Sequence, residues 1–443
     1  MKLTDAVATL IGPWLDRQRW MAHGEDGAAT VEVEHSEVLV APDGDAPGVL
    51  WFLVGAGPGP VYQALVAVRP DAIDLGERDV LGFVDADDGK HFAYDALVDP
   101  EAARKVAAVV GVPGVEEMMV RPVGAEQSNS SVVIGEKVIM KVYRRVQPGP
   151  NPDVEVGTAL DRVGFNHLPS PIAVWSRGDY DLAVAQEYLA GGTEGWALAL
   201  ASLRDLYGGA EPDPAEAGGN MASEARRIGD MTARLHVALS EAFGLHPGAA
   251  DEWARSTEER AASLRLGPEV GRKVAALAAR VRRLAETGAL GPSIRVHGDY
   301  HLGQVMRTDS GWYVLDFEGE PARPLAERRL PWPPAKDVSG MLRSFHYASA
   351  VALADRDRGD QDALAGRARA WELHAREAFL EGYNRVEGIG SLLPGGDPEG
   401  EATRELTTFF EVDKALYEVA YERAHRPDWE QIPRDAIDRL LAG

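Results

Sequence analysis

Apolar positions follow two rhythms along this chain: alternation and short unbroken runs in the first half, three- and four-residue spacing in the second. Leu3, Val7, Leu10, Ile11, Trp14 and Leu15 fall on one helical face at the start. Runs rich in β-branched and aromatic residues follow at 30–34, 37–40, 49–54 and 61–68. Turn signals such as Pro42, Asp43 and Gly44 separate them, so they read as strands. Residues 131–134 and 137–143 flank a Gly135, Glu136 turn and predict a hairpin. A Pro/Gly-rich stretch at 147–152 then leads into a helix with Asp153 and Glu155 in its first turn, as the helix dipole favours. Helical spacing returns at 222–243, 253–287, 337–354, 363–382 and 404–424, interrupted by a short strand–loop–strand block around His297 and Asp316.

Three zones result: a β-rich zone at 1–99, a second β-containing lobe at 100–187 and a mostly helical lobe at 188–443. Composition narrows what they can do. The 45% hydrophobic and 26% charged content of the 443 residues is that of an ordinary globular protein. The absence of cysteine removes disulfides, thiolate metal sites and thiol catalysis. A net charge of −24 argues against nucleic acid as a partner, and any polyanionic ligand must be held by a local positive patch. Lys2, Asp5, Asp16 and Arg17 interrupt the first apolar stretch, and no run nears the roughly 18 residues of a membrane span. The expectation is a cytoplasmic protein without a membrane partner.

The block His297, Gly298, Asp299 through Gln304, followed by Asp316, Phe317 and Glu318, carries the chemistry. Protein-kinase catalytic loops use the same order: a base aspartate, a metal-binding amide, then a metal-binding aspartate after an apolar strand. Gln304 stands where Asn is usual, and Glu318 where Gly is usual. Asp299 suits the base that takes an acceptor hydroxyl's proton. Gln304 and Asp316 offer the hard oxygens magnesium prefers, with Glu318 as a further ligand or an outer acceptor. Without cysteine or a third histidine nearby, His297 and His301 read as groups that shape the loop, with His301 on the acceptor side. Lys141, after the apolar strand at 138–140, is the candidate for the phosphate-contacting lysine, and Glu155 for its partner. Ser128, Asn129 and Ser130 could cover phosphates from the turn before that hairpin. Zones and motif together predict an α+β, bilobal protein-kinase-like fold, moving a nucleotide's terminal phosphoryl group onto a small molecule.

With these residues in view, the chain resembles the bacterial maltokinases, relatives of the aminoglycoside phosphotransferases. The likeness rests on 121–131, 141–145, 148–156, 186–189, the two catalytic blocks, 319–329, 337–345, 411–422 and 426–429. It implies an aminoglycoside phosphotransferase-like fold with an N-terminal β-rich cap domain at 1–99, ATP with its adenine at the Gln186 to Tyr188 hinge, Mg2+, and maltose converted to maltose 1-phosphate. The chain departs from the family pattern at 21–25, at 330–334 and at His346, which leaves the acceptor open. An amino-sugar kinase, taking glucosamine to glucosamine 6-phosphate, is the alternative, and a catalytically silent nucleotide-binding regulator is the alternative from another class.

The late helix bears on that choice. At 100° per residue, Val412, Ala415, Leu416 and Val419 form the core stripe, and Asp413, Lys414, Tyr417, Glu418, Tyr421 and Glu422 fall on the other side. Tyrosines and carboxylates suit a hydroxyl-rich sugar, and the carboxylates also suit an ammonium group.

Overall fold

The computed structural model describes residues 1–21, 31–55, 60–123, 129–209, 213–215, 221–320 and 323–442. The chain divides into two compact units, Met1–Thr158 with Pro169–Ala190, and Ala159–Leu168 with Gly191–Gly443.

The first unit runs α1 (Leu3–Leu15), β1 (Glu32–Val40), β2 (Gly48–Gly55), β3 (Val61–Arg69), β4 (Val80–Ala86), β5 (Gly89–Asp95), α2 (Pro100–Val110), β6 (Val120–Val123), β7 (Asn129–Ile134), β8 (Val138–Tyr143), β9 (Arg145–Val146), α3 (Pro152–Arg162), β10 (Pro171–Arg177) and β11 (Tyr180–Glu187). Helix α3 runs on from it into the second unit. Among the described residues two antiparallel sheets form, β1-β2-β3-β5-β4 with β9 on β3, and β10-β11-β8-β7-β6. The two runs expected at 30–34 and 37–40 are one strand, bent by irregular register after Val33 and Val38.

β2 and β3 are buried on both faces, so their alternating side chains feed two cores. Leu50, Phe52, Val54, Ala64 and Val66 pack against α1 through Val7, Ile11 and Trp14. Val49, Trp51, Leu65 and Ala67 join α2 and the second sheet's Val132, Met140 and Leu182 in one cluster. Helix α2 was not expected, although its signals are in the sequence. The Asp99 side chain accepts from Glu101 N–H at 3.0 Å, Pro100 opens the helix, and Gly111 closes it at φ 98°. Gln63 is a polar intrusion in that core, and its amide is fully used. Nε2 donates to the Tyr143 and Leu182 carbonyls at 2.5 Å each, and Oε1 accepts from Trp51 Nε1 at 3.2 Å.

The second unit contains β12 (Thr193–Glu194), α4 (Gly195–Gly208), α5 (Met221–Phe243), α6 (Ala250–Leu264), α7 (Pro268–Glu286), β13 (Val305–Thr308), β14 (Gly311–Val314), α8 (Leu325–Arg328), α9 (Ala335–Ala354), α10 (Arg358–Asn384), α11 (Glu401–His425) and α12 (Gln431–Leu440). The single helix expected over 253–287 is two. Arg265 and Gly267 adopt positive φ, 53° and 103°, and Pro268 starts α7, so the apolar spacing continues across a break in the backbone. Helices α5 and α10 approach closely because Gly229 and Gly382 face each other's helix: a methyl on either would collide with a carbonyl of the other, Phe379 or Arg226. Among the described residues, no helix is long and apolar enough to cross a membrane.

Candidate active site

In the first unit, strand register decides which side chains share a face, since paired residues point the same way and neighbours alternate. β7 pairs with β8 so that Asn129 opposes Tyr143, Ser130 opposes Val142 and Ser131 opposes Lys141. Asn129 and Ser131 therefore stand on the Lys141 face. Ser130 stands on the reverse, where its hydroxyl accepts from Arg144 Nε at 2.8 Å. Ser130, expected as a phosphate cover, thus faces away from Lys141, and Ser131, the last residue of the same expected turn, faces it. Ser128 lies outside the described residues.

Lys141 Nζ lies 3.3 Å from Asp153 Oδ2, which also accepts from the Tyr143 hydroxyl at 3.4 Å. The pair is buried, and Asp153 belongs to the first turn of α3, its own N–H capped by Asn151 Oδ1 at 2.9 Å. Asp153 thus pairs with Lys141 from a position two residues before the expected Glu155. Gln186 pairs with Ile139 and Pro171 near the end of β11. Just beyond, Tyr188 N–H donates to the Lys137 carbonyl at 2.8 Å. That donor is committed to the sheet edge and is not available to an adenine.

In the second unit, the catalytic-loop candidate hangs on one buried carboxylate. Asp337, in the first turn of α9, accepts from His297 N–H at 2.7 Å and from Gly298 N–H at 2.9 Å, with His236 Nε2 at 3.3 Å. Burial alone would raise the Asp337 carboxyl, but the His236 hydrogen bond, His297 and Gly298 N–H hold it below the usual range. Gly298 turns the loop at φ 89°. The Tyr300 hydroxyl meets Thr232 Oγ1 at 2.8 Å, and Gly340 lets α9 approach, since a methyl there would sit 2.5 Å from the Tyr300 carbonyl. His297 spans the loop, with Nε2 2.8 Å from the Leu315 carbonyl and Nδ1 3.4 Å from Asp299 N–H. Such contacts fit the loop-shaping role expected of it. His301 closes the next turn, where its Nδ1 accepts from Gly303 N–H at 3.1 Å. In the sequence, Asp337 is marked only by its place in the 337–345 stretch. A single acid three residues before a glycine, in a helix otherwise rich in apolar residues, was the available signal.

The Gln304 amide Nε2 is 3.3 Å from Asp316 Oδ2, and Gln304 and Leu315 are tied through a 2.9 Å backbone hydrogen bond. Asp316 takes a positive φ of 61°, a conformation few residues other than glycine, asparagine and aspartate adopt readily. Carboxylate oxygens of Asp316 and Glu318 lie within 4.8 Å of each other. An amide and two carboxylates gathered this closely form a hard-oxygen set of the kind magnesium takes, and nothing softer is among them.

Asp299 is paired. Lys414 Nζ, from α11, lies 3.1 Å from Asp299 Oδ1 and 3.2 Å from Glu320 Oε1, and 5.0 Å from the centroid of the Tyr417 ring. Burial works to raise the Asp299 carboxyl, but Lys414 and then His301 outweigh it, so it sits below the usual carboxylate range. Glu320, buried and also bonded to Arg323, is likewise held low against burial, first by Lys414. Lys336 lies 3.7 Å from the centroid of the Trp332 ring, and desolvation pushes its ammonium down to about 8. Glu320, Arg323, Trp332 and Lys336 had not been singled out as site residues.

The other α11 residues divide in a way the helical wheel did not show. Asp413 accepts from Thr257 Oγ1 at 2.8 Å and Arg260 at 2.6 Å. Glu418 is paired with Arg343 at 2.5 Å, and Glu422 accepts from the Tyr347 hydroxyl at 2.9 Å and pairs with Arg426 at 2.7 Å. These three carboxylates are thus tied to side chains of α6, α9 and the end of α11. Tyr421 stacks on His425 with ring centroids 4.4 Å apart and is largely exposed. Of the α11 residues, Lys414 and Tyr417 lie beside Asp299, and His301 from the same expected set stands with Nε2 3.9 Å from Asp299 Oδ2.

Residues 14–99 match the maltokinase N-terminal cap domain, and residues 120–371 match the phosphotransferase enzyme family. The chain is 30% identical over 341 residues to a glucosamine kinase of Mycolicibacterium smegmatis, covering 72% of this chain and 79% of that protein. It is 30% identical over 363 residues to a glucosamine kinase of Streptacidiphilus jiangxiensis, covering 77% of each. A solved glucosamine kinase in complex with glucosamine, ADP and inorganic phosphate shares the fold. The match has a TM-score of 0.65 at 22% identity and spans 100% of this chain and 99% of that one.

Proposed function

Because the chain belongs to the phosphotransferase enzyme family and carries the maltokinase-type cap, we propose that it is an ATP:sugar kinase that phosphorylates glucosamine to glucosamine 6-phosphate. The observation that carries this reading is the cluster of Asp299, Lys414 and Glu320, in which a candidate base and a second buried carboxylate share one ammonium. An acceptor's own ammonium can take the place of Lys414 at Glu320 while its hydroxyl reaches Asp299. The likeness to two glucosamine kinases over most of each chain supports the same acceptor. Residues 1–99 serve as the cap, 100–187 as the nucleotide lobe and 188–443 as the acceptor lobe.

Each group has one task. Lys141, steadied by Asp153, holds nucleotide phosphates as a point charge. Gln304 and Asp316, with Glu318 beside them, are the residues that hold magnesium, which neutralises charge on the phosphates when bound. Asp299 orients the acceptor hydroxyl and takes its proton as that oxygen bonds to the γ-phosphorus. The bond to the β–γ bridging oxygen breaks, and ADP leaves.

Maltose is the second reading. It is favoured by the cap match and by Tyr417 and Tyr421, whose rings lie 6.5 Å apart at an interplanar angle of 23°, a surface on which a neutral disaccharide can stack. ADP release with glucosamine, glucose and maltose, and product identification by phosphorus NMR, separates these readings. A higher kcat/KM for maltose than for glucosamine overturns the amino-sugar assignment, and no turnover with any sugar favours a silent regulator.

A further inference from the structure

In a chain of net charge −24, four arginines converge on one cavity formed by α5, α10 and the β13–β14 hairpin. It is a solvent-open cleft of about 470 Å³, lined by Arg226, Arg227, Arg307 and Arg385 together with His167 and Trp312. None of these residues belongs to the transfer site. The Gly229 and Gly382 approach brings α5 and α10 together almost backbone to backbone, setting Arg226 and Arg227 against Arg385. His167 Nδ1 fixes the far wall through the Trp312 carbonyl at 3.0 Å.

Neutralisation is half complete. Glu381 takes Arg226 at 2.6 Å and also Arg385, while Glu224 takes Arg227 at 3.0 Å, Arg307 at 3.2 Å and the Trp312 indole at 2.7 Å. Among the described residues, these are the two carboxylates bonded to the four guanidiniums, and both oxygens of each are engaged. Asp230 on the rim is held by Arg234 at 2.6 Å, and Asp309 at the hairpin tip is the opposing charge that remains. Each guanidinium carries five N–H donors in a planar fork that matches phosphate oxygens, so donors far exceed acceptors here. The volume falls in the range of small-molecule sites and suits a group the size of a phosphorylated monosaccharide.

We propose that this cavity is a second anion site, which binds inorganic phosphate or a small phosphate monoester independently of the transfer site. Its hairpin runs directly from Gln304 to Asp316, so an occupant bears on both candidate magnesium ligands through strands of four residues each.

The test is calorimetric titration of the full chain, loaded with ADP and magnesium, with inorganic phosphate and separately with glucose 6-phosphate. Arg385→Gln and Arg227→Gln alter exposed side chains and leave the fold intact, and each is expected to weaken binding about tenfold. Lys141→Met, which disables the nucleotide lobe, keeps wild-type binding. Equal affinity for both probes assigns the site to phosphate itself, and at least tenfold tighter binding of the ester assigns it to a phosphorylated sugar. No binding to the ADP-loaded protein, binding unchanged in both arginine variants, or binding lost in Lys141→Met overturns the proposal.

Discussion

Lys414 Nζ stands 3.1 Å from Asp299 Oδ1, so the carboxylate proposed to take the acceptor's proton is held in an ion pair before any acceptor arrives. The pair keeps the base ionised and makes it a weak one, which suits a loose transition state in which proton transfer comes late. Lys414→Met removes the counter-charge and leaves burial, which raises the Asp299 carboxyl. The base is lost by protonation as pH falls, so the acid limb of kcat/KM moves upward in the variant. A pH profile of both proteins checks this; an unmoved limb means that another group sets it.

Asp299→Asn keeps the side chain's shape and removes its basicity. The expected result is a fall in kcat of about 10² to 10⁴ with nucleotide affinity retained. Steady-state turnover and ATP titration measure the two quantities separately.

Asp316→Ala takes away the carboxylate that faces Gln304. ATP binding in the variant is expected to lose its dependence on magnesium, read by titrating nucleotide with and without the ion. An unchanged magnesium dependence removes Asp316 from the ligand set.

Asp337→Ala leaves two loop N–H groups and His236 without their buried acceptor. Loss of one partner from such a buried network costs about 3–5 kcal/mol, visible as a lower denaturant midpoint, and kcat falls with it. Asp337→Asn retains one acceptor oxygen and loses less.

Acceptor choice is expected to respond to Glu320 and not to Glu422. Glu320→Gln raises KM for glucosamine about tenfold or more and leaves maltose kinetics little changed. Glu422→Gln loosens a buried carboxylate bound to Tyr347 and Arg426, so it lowers Tm with acceptor KM unaltered.

The sequence exposed the parts of this protein that depend on local order. The block from His297 to Gln304 and the hairpin carrying Lys141 lie in contiguous stretches, and the α11 face places Lys414 by simple periodicity. What stayed hidden depends on distant pairing. That Ser130 turns away from Lys141 follows from strand register, which no pattern within β7 alone discloses. The partners Arg343, Arg260 and Tyr347 come from helices far along the chain, so carboxylates that look solvated on a helical wheel are committed. Asp153 and Glu155 both fit the dipole of α3, and only the folded chain brings Asp153 to Lys141.

The shared core of the first unit also sets a timetable for the ribosome. Trp51, Leu65 and Ala67 leave the exit tunnel long before the strand bearing Leu182, yet they pack in the same cluster. At bacterial synthesis rates that interval is on the order of 5–20 s. For that time the cap has one face without its final cover, so its folding is completed only when the nucleotide lobe's last strand has been made. A nascent chain stalled anywhere between presents that apolar face to chaperones, and the cap, though synthesised first, is finished only with β11.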